Sequence, residues 1–339
     1  MLSSHTNDTP FVHELSIVVP VYGGETTLQA VVDELAEFHR DHVTAAGHHY
    51  RVQEVLLTYD HGRDRSDTVI RQLERQYDFV HGVWLSRNFG QHPATLAGIS
   101  VSRGDWVVTM DEDGQHDPHY IADMLDVALD RKADVVYAEP TNLTSPSLFR
   151  NITSRGAKVI AHYLLGSSDA QKYQSFRLIL GTVARALADN SGNDTYLDVA
   201  LGWIANRVAT CPAAFRSSEG RESSYNLVRL LAHFWSMVVT GGTRPLRFVS
   251  VLGGITATVG IIWAIVLACL QLFSRSFYDV HGWTSLIVAI LVFSGLILLA
   301  IGIVAEYIGV IVRNLMGKPL YVIVDDPRDT PLYEHHARR

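Results

Sequence analysis

Gly104–Pro118 reads GDWVVTMDEDGQHDP. Trp106–Met110 is an apolar, β-branched-rich run of strand length, the composition of a buried strand. It stops at Asp111, Glu112 and Asp113, followed by Gly114, Gln115 and His116. Three carboxylates at one strand end repel one another unless a cation sits among them. In an extended strand Asp111 and Asp113 share a face. Oxygen donors so placed suit a hard divalent ion, Mg2+ or Mn2+, shared with substrate phosphates. A DxD pattern is short and equally describes an acidic surface turn, so the flanking chain has to decide.

Upstream, the same design recurs three times. Leu15–Val21 is an apolar strand ending in Pro20, Tyr22, Gly23 and Gly24, and a helix follows over about Thr27–His39. Val52–Thr58 ends in Tyr59, Asp60 and His61 before a helix at about Ser66–Tyr77. Val80–Leu85 ends in Ser86, Arg87, Asn88, Phe89 and Gly90, and a helix from about His92 to Ser102 leads back to the central strand. Repeated strand–helix alternation predicts an α/β, mainly parallel, doubly wound sheet. Polar clusters at successive strand ends are how a nucleotide crevice is assembled. Neither GxGxxG nor GxxxxGK[ST] is present, which excludes the dinucleotide and P-loop fingerprints.

Composition narrows the classes further. The 339 residues carry a net charge of −7, which argues against a general nucleic-acid binder. The two cysteines, Cys211 and Cys269, have no metal-ligand or redox spacing. Met1–Pro10 is polar, so a frayed terminus rather than a signal peptide is expected there. Apolar residues make up 47%, and the excess is local. Phe248–Phe273 and Trp283–Ala305 contain no charged residue, and each exceeds the ~20 residues that cross a bilayer core. Arg244 and Arg247 precede the first stretch, Arg313 and Lys318 follow the second, and Arg275 alone lies between them. The positive-inside rule then puts the catalytic domain and both termini in the cytoplasm of a multi-pass membrane protein. Gly253, Gly254 and Gly260 would permit close helix approach, which leaves room for a homo-oligomer without requiring one.

VVPVYGG after the first strand, Asp60 after the second, LSRNFGQHPATLAGI and MDEDGQHDP together resemble the family-two inverting glycosyltransferases of GT-A-type fold. The resemblance covers about residues 15–240. It implies that Pro20, Tyr22 and Asp60, with Arg87 and Asp111, bind the nucleotide-sugar, and that Asp111, Asp113 and Gln115 hold the metal on the donor diphosphate, Asp113 with a catalytic role. Two positions depart from the family pattern. Tyr59 stands where an acidic residue is usual, and Ser175 where an Asp commonly precedes Phe-Arg-Leu.

Two apolar spans and the stretch Arg216–Tyr225, matching R-x-x-E-G-x-x-S-x-Y, resemble the polyprenyl-phosphate glycosyltransferases within that family. The likeness implies transfer of a sugar from a UDP- or GDP-sugar to a polyprenyl phosphate. Arg216, Ser223 and Tyr225 would contact phosphate, and Arg177 is a further candidate. Arg155, with Arg150 and Lys158, lies on a helical stretch that is either a solvated basic face or a dock for anionic groups. Asp198 is either a carboxylate facing the acceptor or a helix N-terminal acid favoured by the dipole. Expected boundaries are a flexible N-terminus (1–14), a catalytic domain (15–220), amphipathic juxtamembrane helices (221–245), two transmembrane helices (246–312) and a cytoplasmic tail (313–339). Two rivals stand beside this reading. One is a polymer-forming membrane glycosyltransferase, which would carry a QxxRW motif that this chain lacks; the other is a scaffold that binds a nucleotide-sugar without turnover.

Overall fold

The computed structural model describes residues 10–142, 174–192, 197–216, 283–317 and 319–329, with scattered helical positions between 249 and 269. They fall into two compact units. The first is built on nine strands: β1 (Val12–Val21), β2 (His42–Val43), β3 (His49–Tyr59), β4 (Val80–Leu85), β5 (Trp106–Thr109), β6 (Val135–Pro140), β7 (Arg177–Leu180), β8 (Val208–Ala213) and β9 (Ile323–Val324). Its helices are α1 (Leu28–Ala36), α2 (Ser66–Gln76), α3 (Gln91–Val101), α4 (Tyr120–Arg131), α5 (Gly181–Asn190) and α6 (Leu197–Ile204).

Side chains that alternate along a strand point to opposite faces, and here both faces are apolar. Leu15, Ile17, Val19 and Val21 of β1, with Trp106 and Val108 of β5, join one core beside Leu28, Ile70 and Met124 from α1, α2 and α4. Val18 and Val107 join the other, beside Leu96, Leu187 and Leu197 from α3, α5 and α6. Strands buried on both faces read as unbroken hydrophobic runs, which is why LSIVVPV and WVVTM stand out in the sequence.

The strand order is β8-β6-β7-β5-β1-β3-β4-β9, with β2 paired to β3. β1 pairs in parallel with both β3 and β5, β3 with β4, and β6 with β8. β7 runs antiparallel between β5 and β6. The chain builds outward through β3 and β4, then returns to the opposite side of β1 as β5. The gap between the ends of β1 and β5 is therefore the topological switch point, where open α/β sheets bind ligands.

β2, β7, β8 and β9 were not read as strands from the sequence. β2 is only two residues long, and β9 comes from the region expected only as a tail. β9 pairs antiparallel with β4, Val324 opposite Trp84 and Ile323 opposite Leu85. Beside it, Arg71 of α2 donates to both oxygens of Asp326, from Nε at 2.5 Å and Nη2 at 2.6 Å. The Arg71 guanidinium lies 4.4 Å over the Trp84 ring, so one cation serves an ion pair and an aromatic face together.

The second unit contains α7 (Trp283–Leu315), 33 residues long. Val292–Val312 within it is long and apolar enough to cross a membrane, with a mean hydropathy of 2.5 and no buried residue. At ~1.5 Å per residue, its 21 residues reach roughly 31 Å, the thickness of a hydrocarbon core. This is the one such helix among the described residues. The other expected span, Phe248–Phe273, is helical at its described positions and otherwise lies outside the described residues. So do all of the juxtamembrane residues 221–245.

Two expectations follow. Ile301, near the centre of α7 and 58% exposed, would face lipid, where Arg costs about 2.5–3.5 kcal/mol. Ile301→Arg should move the protein out of the carbonate-resistant membrane fraction, whereas on a water-exposed helix it would cost almost nothing. The hydrogen bonds from Arg71, set against burial, hold the Asp326 carboxyl below its ordinary value of 3.8. A lowered folded pKa gives stability that is full above the unfolded value and disappears as pH falls through the folded one. Asp326→Asn should therefore cost about 1–3 kcal/mol at neutral pH, and the gap to wild type should close below about pH 4 in melts recorded against pH.

Candidate active site

The three consecutive carboxylates at the end of β5 have three different fates. Glu112 turns away from its neighbours and takes the backbone N–H groups of Tyr22 and Gly23, each at 2.8 Å. It is thus the clamp on the loop after β1. Asp111 is flanked by neutral donors: Gln91 Nε2 reaches Oδ1 at 2.8 Å and Ser175 Oγ reaches Oδ2 at 2.6 Å. Asp113 is held by Gln115, whose backbone N–H meets Oδ1 at 3.1 Å and whose side-chain amide meets Oδ2 at 2.9 Å. Gly114 between them has φ +73°, a turn that a residue with a Cβ adopts at a cost. Among the described residues no Lys or Arg bridges Asp111 or Asp113. Two carboxylates beside a side-chain amide, with no Lys or Arg bonded to either among the described residues, are a donor set that fits a hard divalent ion.

His116 braces this turn from behind. Its buried ring stacks on Phe176 at 5.0 Å and meets Phe215 edge-on at 5.1 Å. The Asp111 backbone N–H donates to Nδ1 at 3.0 Å, so Nδ1 is an acceptor and the proton of the neutral ring sits on Nε2. Burial lowers the His116 pKa against the pull of Asp111 and Asp113.

A cavity of about 230 Å³ opens at the switch point. Pro20 lines it from β1, Asp111 from β5, Gln91 and Thr95 from α3, and Ser175, Arg177 and Asp198 from the far side. Arg177 is buried, with Nε donating to Thr109 Oγ1 at 2.9 Å and Nη1 to Asp198 Oδ1. The Tyr137 hydroxyl donates to the same Asp198 oxygen at 3.0 Å. Burial works against the charge on Arg177, but Asp198, Tyr137 and Asp111 outweigh it and raise its pKa. Burial pushes Asp198 up, while Arg177 and Tyr137 oppose it. A guanidinium does not deprotonate in proteins, and it and the Tyr137 hydroxyl both donate to one Asp198 oxygen. Asp198 is therefore a carboxylate already committed to a cation and a hydroxyl.

The remaining expected residues lie outside the cavity lining. Asp60 is buried, and its oxygens accept the N–H groups of Phe89 at 2.7 Å and Gly90 at 2.8 Å. Burial raises its pKa and those two bonds oppose the rise. Tyr22 is exposed, and Gly62 passes so close that an added Cβ would lie 1.9 Å from the Tyr22 carbonyl. Arg87 lies over the Phe89 ring at 4.1 Å. Arg216 grips Glu34 with two bonds, at 2.8 and 2.5 Å, and lies 3.2 Å from Asp117, while its N–H donates to the Gln115 carbonyl at 2.9 Å. Those bonds to Glu34 lead in raising its pKa. Arg155, Ser223 and Tyr225 lie outside the described residues.

Both departures have a structural account. Tyr59 sits in the apolar layer, edge-on to Trp84 at 5.5 Å. Ser175 gives Asp111 a hydrogen bond where an Asp would set a second carboxylate against it. Glu112, Gln91, His116 and Tyr137 had no assigned role in the sequence reading. The motifs contain the first three, but motif membership does not say which oxygen or N–H each one meets.

Residues 16–177 match the family model for glycosyl transferase family 2. An undecaprenyl-phosphate 4-deoxy-4-formamido-L-arabinose transferase of Edwardsiella ictaluri is 28% identical over 318 residues, covering 94% of this chain and 95% of its own. The protein of the same name from Pseudomonas aeruginosa is 29% identical over 318 residues, 94% of this chain and 91% of its own. Among solved structures, glucosyl-3-phosphoglycerate synthase from Mycobacterium tuberculosis, in complex with Mn2+, UDP-glucose and phosphoglyceric acid, has a TM-score of 0.47 at 18% identity, covering 68% of this chain and 79% of that one. Residues 16–177 are therefore similar to a glycosyl transferase family 2 domain.

Glu112→Gln tests the clamp. It keeps one carbonyl acceptor and sets an NH2 group against a backbone N–H, so thermal or denaturant melts should show a loss of about 1–3 kcal/mol.

Proposed function

We propose, starting from that family-two similarity, that the protein transfers a sugar from a nucleotide-sugar to a polyprenyl phosphate at the cytoplasmic face of a membrane. The observation that carries this reading is the state of the acids in the cavity. Asp198 is ion-paired, Asp111 is hydrogen-bonded to Gln91 and Ser175, and the position where the family commonly has an Asp is Ser175. A sugar hydroxyl needs a base to remove its proton, and none of these residues is free to serve. A phosphate monoester, with a second pKa near 6, is already a nucleophile at neutral pH. It needs positioning and charge compensation rather than deprotonation.

The long apolar α7 supports a lipid as the bearer of that phosphate, because a catalytic domain on a membrane tether meets its acceptor at the bilayer surface. The relatives' names point the same way for the acceptor. At 28–29% identity we leave the sugar open. We further propose that Phe248–Phe273 is a second span, with the basic flanks Arg244, Arg247, Arg313 and Lys318 on the cytoplasmic side.

In the transfer itself, a phosphate oxygen of the acceptor bonds to the anomeric carbon, the bond to the donor diphosphate breaks, and nucleoside diphosphate leaves with the electron pair. In the family's inverting mode this is one displacement. Asp111, Asp113 and Gln115 would hold a divalent ion, Mg2+ or Mn2+, which when bound supplies Lewis-acid stabilisation to the leaving diphosphate. Pro20 and Tyr22 would border the donor, with Glu112 fixing the backbone between strand and base pocket. Arg177 keeps Thr109 and Asp198 in place at the floor of the cavity. Arg155, Arg216, Ser223 and Tyr225 would meet acceptor phosphate; for Arg216 this requires exchanging Glu34 for the phosphate.

The test is a transfer assay with UDP- and GDP-sugars, polyprenyl phosphate and Mg2+ or Mn2+, read by mass spectrometry. Wild type should yield a polyprenyl-phosphate-sugar, and Asp113→Asn should lower the rate by about 100-fold or more. Preference for a hydroxyl acceptor over the lipid phosphate would sink the reading. Metal-dependent donor binding without any transfer would instead favour the scaffold.

A further inference from the structure

The segment after the membrane helix does more than close a sheet edge. Leu320 and Tyr321 pack onto the core under α3 and α6, and Tyr321 also packs, with Phe89, against Leu85, Ala94 and Ala97. The Val322 carbonyl accepts the Ser86 N–H at 2.9 Å. Ile323 and Val324 pair with β4, and Asp326 receives the bidentate Arg71. Arg328 adds bonds to Asp67 and Thr68 on α2. Apart from the packing of Leu320 and Tyr321 on the core under α3 and α6, these contacts fall on α2, on β4 and the start of α3, which flank the stretch from Ser86 to Gln91, or on that stretch itself.

That stretch is tied to both acids of the strand ends. The N–H groups of Phe89 and Gly90 donate to Asp60, Asn88 donates to the Asp60 carbonyl, and Gln91 donates to Asp111. Gly90 has φ +100°, so the loop is a sharp turn whose path depends on what packs around it. Tyr321 and the Val322 carbonyl are that packing on one side.

We propose that Leu320–Asp326 is a positioning element of the donor site: it holds the Ser86–Gln91 loop and, through that loop, the placement of Asp60 and Asp111. The segment follows α7 after a few residues, so the membrane anchor and the donor site share one short stretch of chain. Tyr321 is a positioning residue, acting through Phe89 and α3 rather than on substrate. The consequence for donor binding rests on the glycosyltransferase reading above; the consequence for loop order does not.

The experiment compares full-length wild type, Tyr321→Ala, Tyr321→Phe and Asp326→Asn, with Met124→Ala in α4 as a variant destabilised elsewhere. Hydrogen exchange is followed at residues 86–91, and KM and kcat for the donor are measured in the transfer assay. Tyr321→Ala should speed exchange of the Phe89 and Gly90 amides about tenfold beyond Met124→Ala. It should raise donor KM about tenfold while kcat stays within about twofold. Tyr321→Phe, which keeps the ring, should restore both. Asp326→Asn releases the other end of the segment and should act in the same direction, so a poorly folding Tyr321→Ala does not stop the test. Loss of protection confined to 320–326, or spread evenly as in Met124→Ala, would overturn the proposal. Absence of turnover in wild type with every donor would count against the glycosyltransferase reading alone, and the exchange data would still decide this one.

Discussion

Negative charge packed onto the end of one strand is the constraint from which the site follows. Asp111, Glu112 and Asp113 are consecutive, and no protein folds three adjacent carboxylates into one buried pocket without partners. The chain distributes them. Glu112 is drawn off to two backbone N–H groups of the loop after β1. Asp111 and Asp113 stay at the switch point and are bonded by neutral amides and a hydroxyl. Neutral donors hold a carboxylate in place without cancelling its charge, which is what a cation site requires.

The same carboxylate-to-backbone device recurs around the sheet edge. Asp60 holds Phe89 and Gly90, and Asp64 holds the Glu25 N–H at 3.0 Å; the Ser66 hydroxyl adds a neutral bond to the Gly24 N–H at 2.9 Å. Each bond crosses from one strand-end loop to the next, so the loops after β1, β3, β4 and β5 form one braced rim. Charge-assisted bonds to backbone N–H groups are among the stronger neutral-pH contacts. A rim built this way is organised before any ligand arrives, and a pre-formed site loses less entropy on binding.

The central sheet was legible because its strands are buried on both faces and so read as unbroken apolar runs; β4 emerged at Val80–Leu85 as the pattern predicts. β9 was not legible. Ile323 and Val324 are exposed, and their strand character comes from β4, more than two hundred residues earlier in the chain. At the start of α6 the sequence left Asp198 open between an acceptor-facing carboxylate and a helix N-terminal acid, since a first-turn acid satisfies a helix dipole as readily as it does a buried arginine. The DxD pair was legible as a candidate metal site. The different task of Glu112 between them was not, because residue type does not say which N–H groups a carboxylate will find. Ser175 was visible as a departure; only its bond to Asp111 explains how the site accommodates it.

The charge around the cavity then bears on what can enter. Among the described lining residues there is one cation, Arg177, against two carboxylates, Asp111 and Asp198, and Asp113 stands just beyond. Arg177 and Asp198 neutralise each other, which leaves the Asp111 side of the cavity negative. A nucleoside diphosphate and a phosphate monoester are both anions, and at ~4 Å separation two like charges cost about 4 kcal/mol in the partly screened surroundings of a protein surface. Such substrates are admitted only if positive charge is added, from a divalent ion at Asp111 and Asp113 or from basic side chains outside the described residues. Arg216 lies beside the metal-ligand turn: its backbone is bonded to Gln115, while its guanidinium is held by Glu34 and Asp117. An exposed ion pair of this kind is worth little against a doubly charged phosphate, so its guanidinium is a described positive charge that can be exchanged toward an incoming anion without unpairing a buried one.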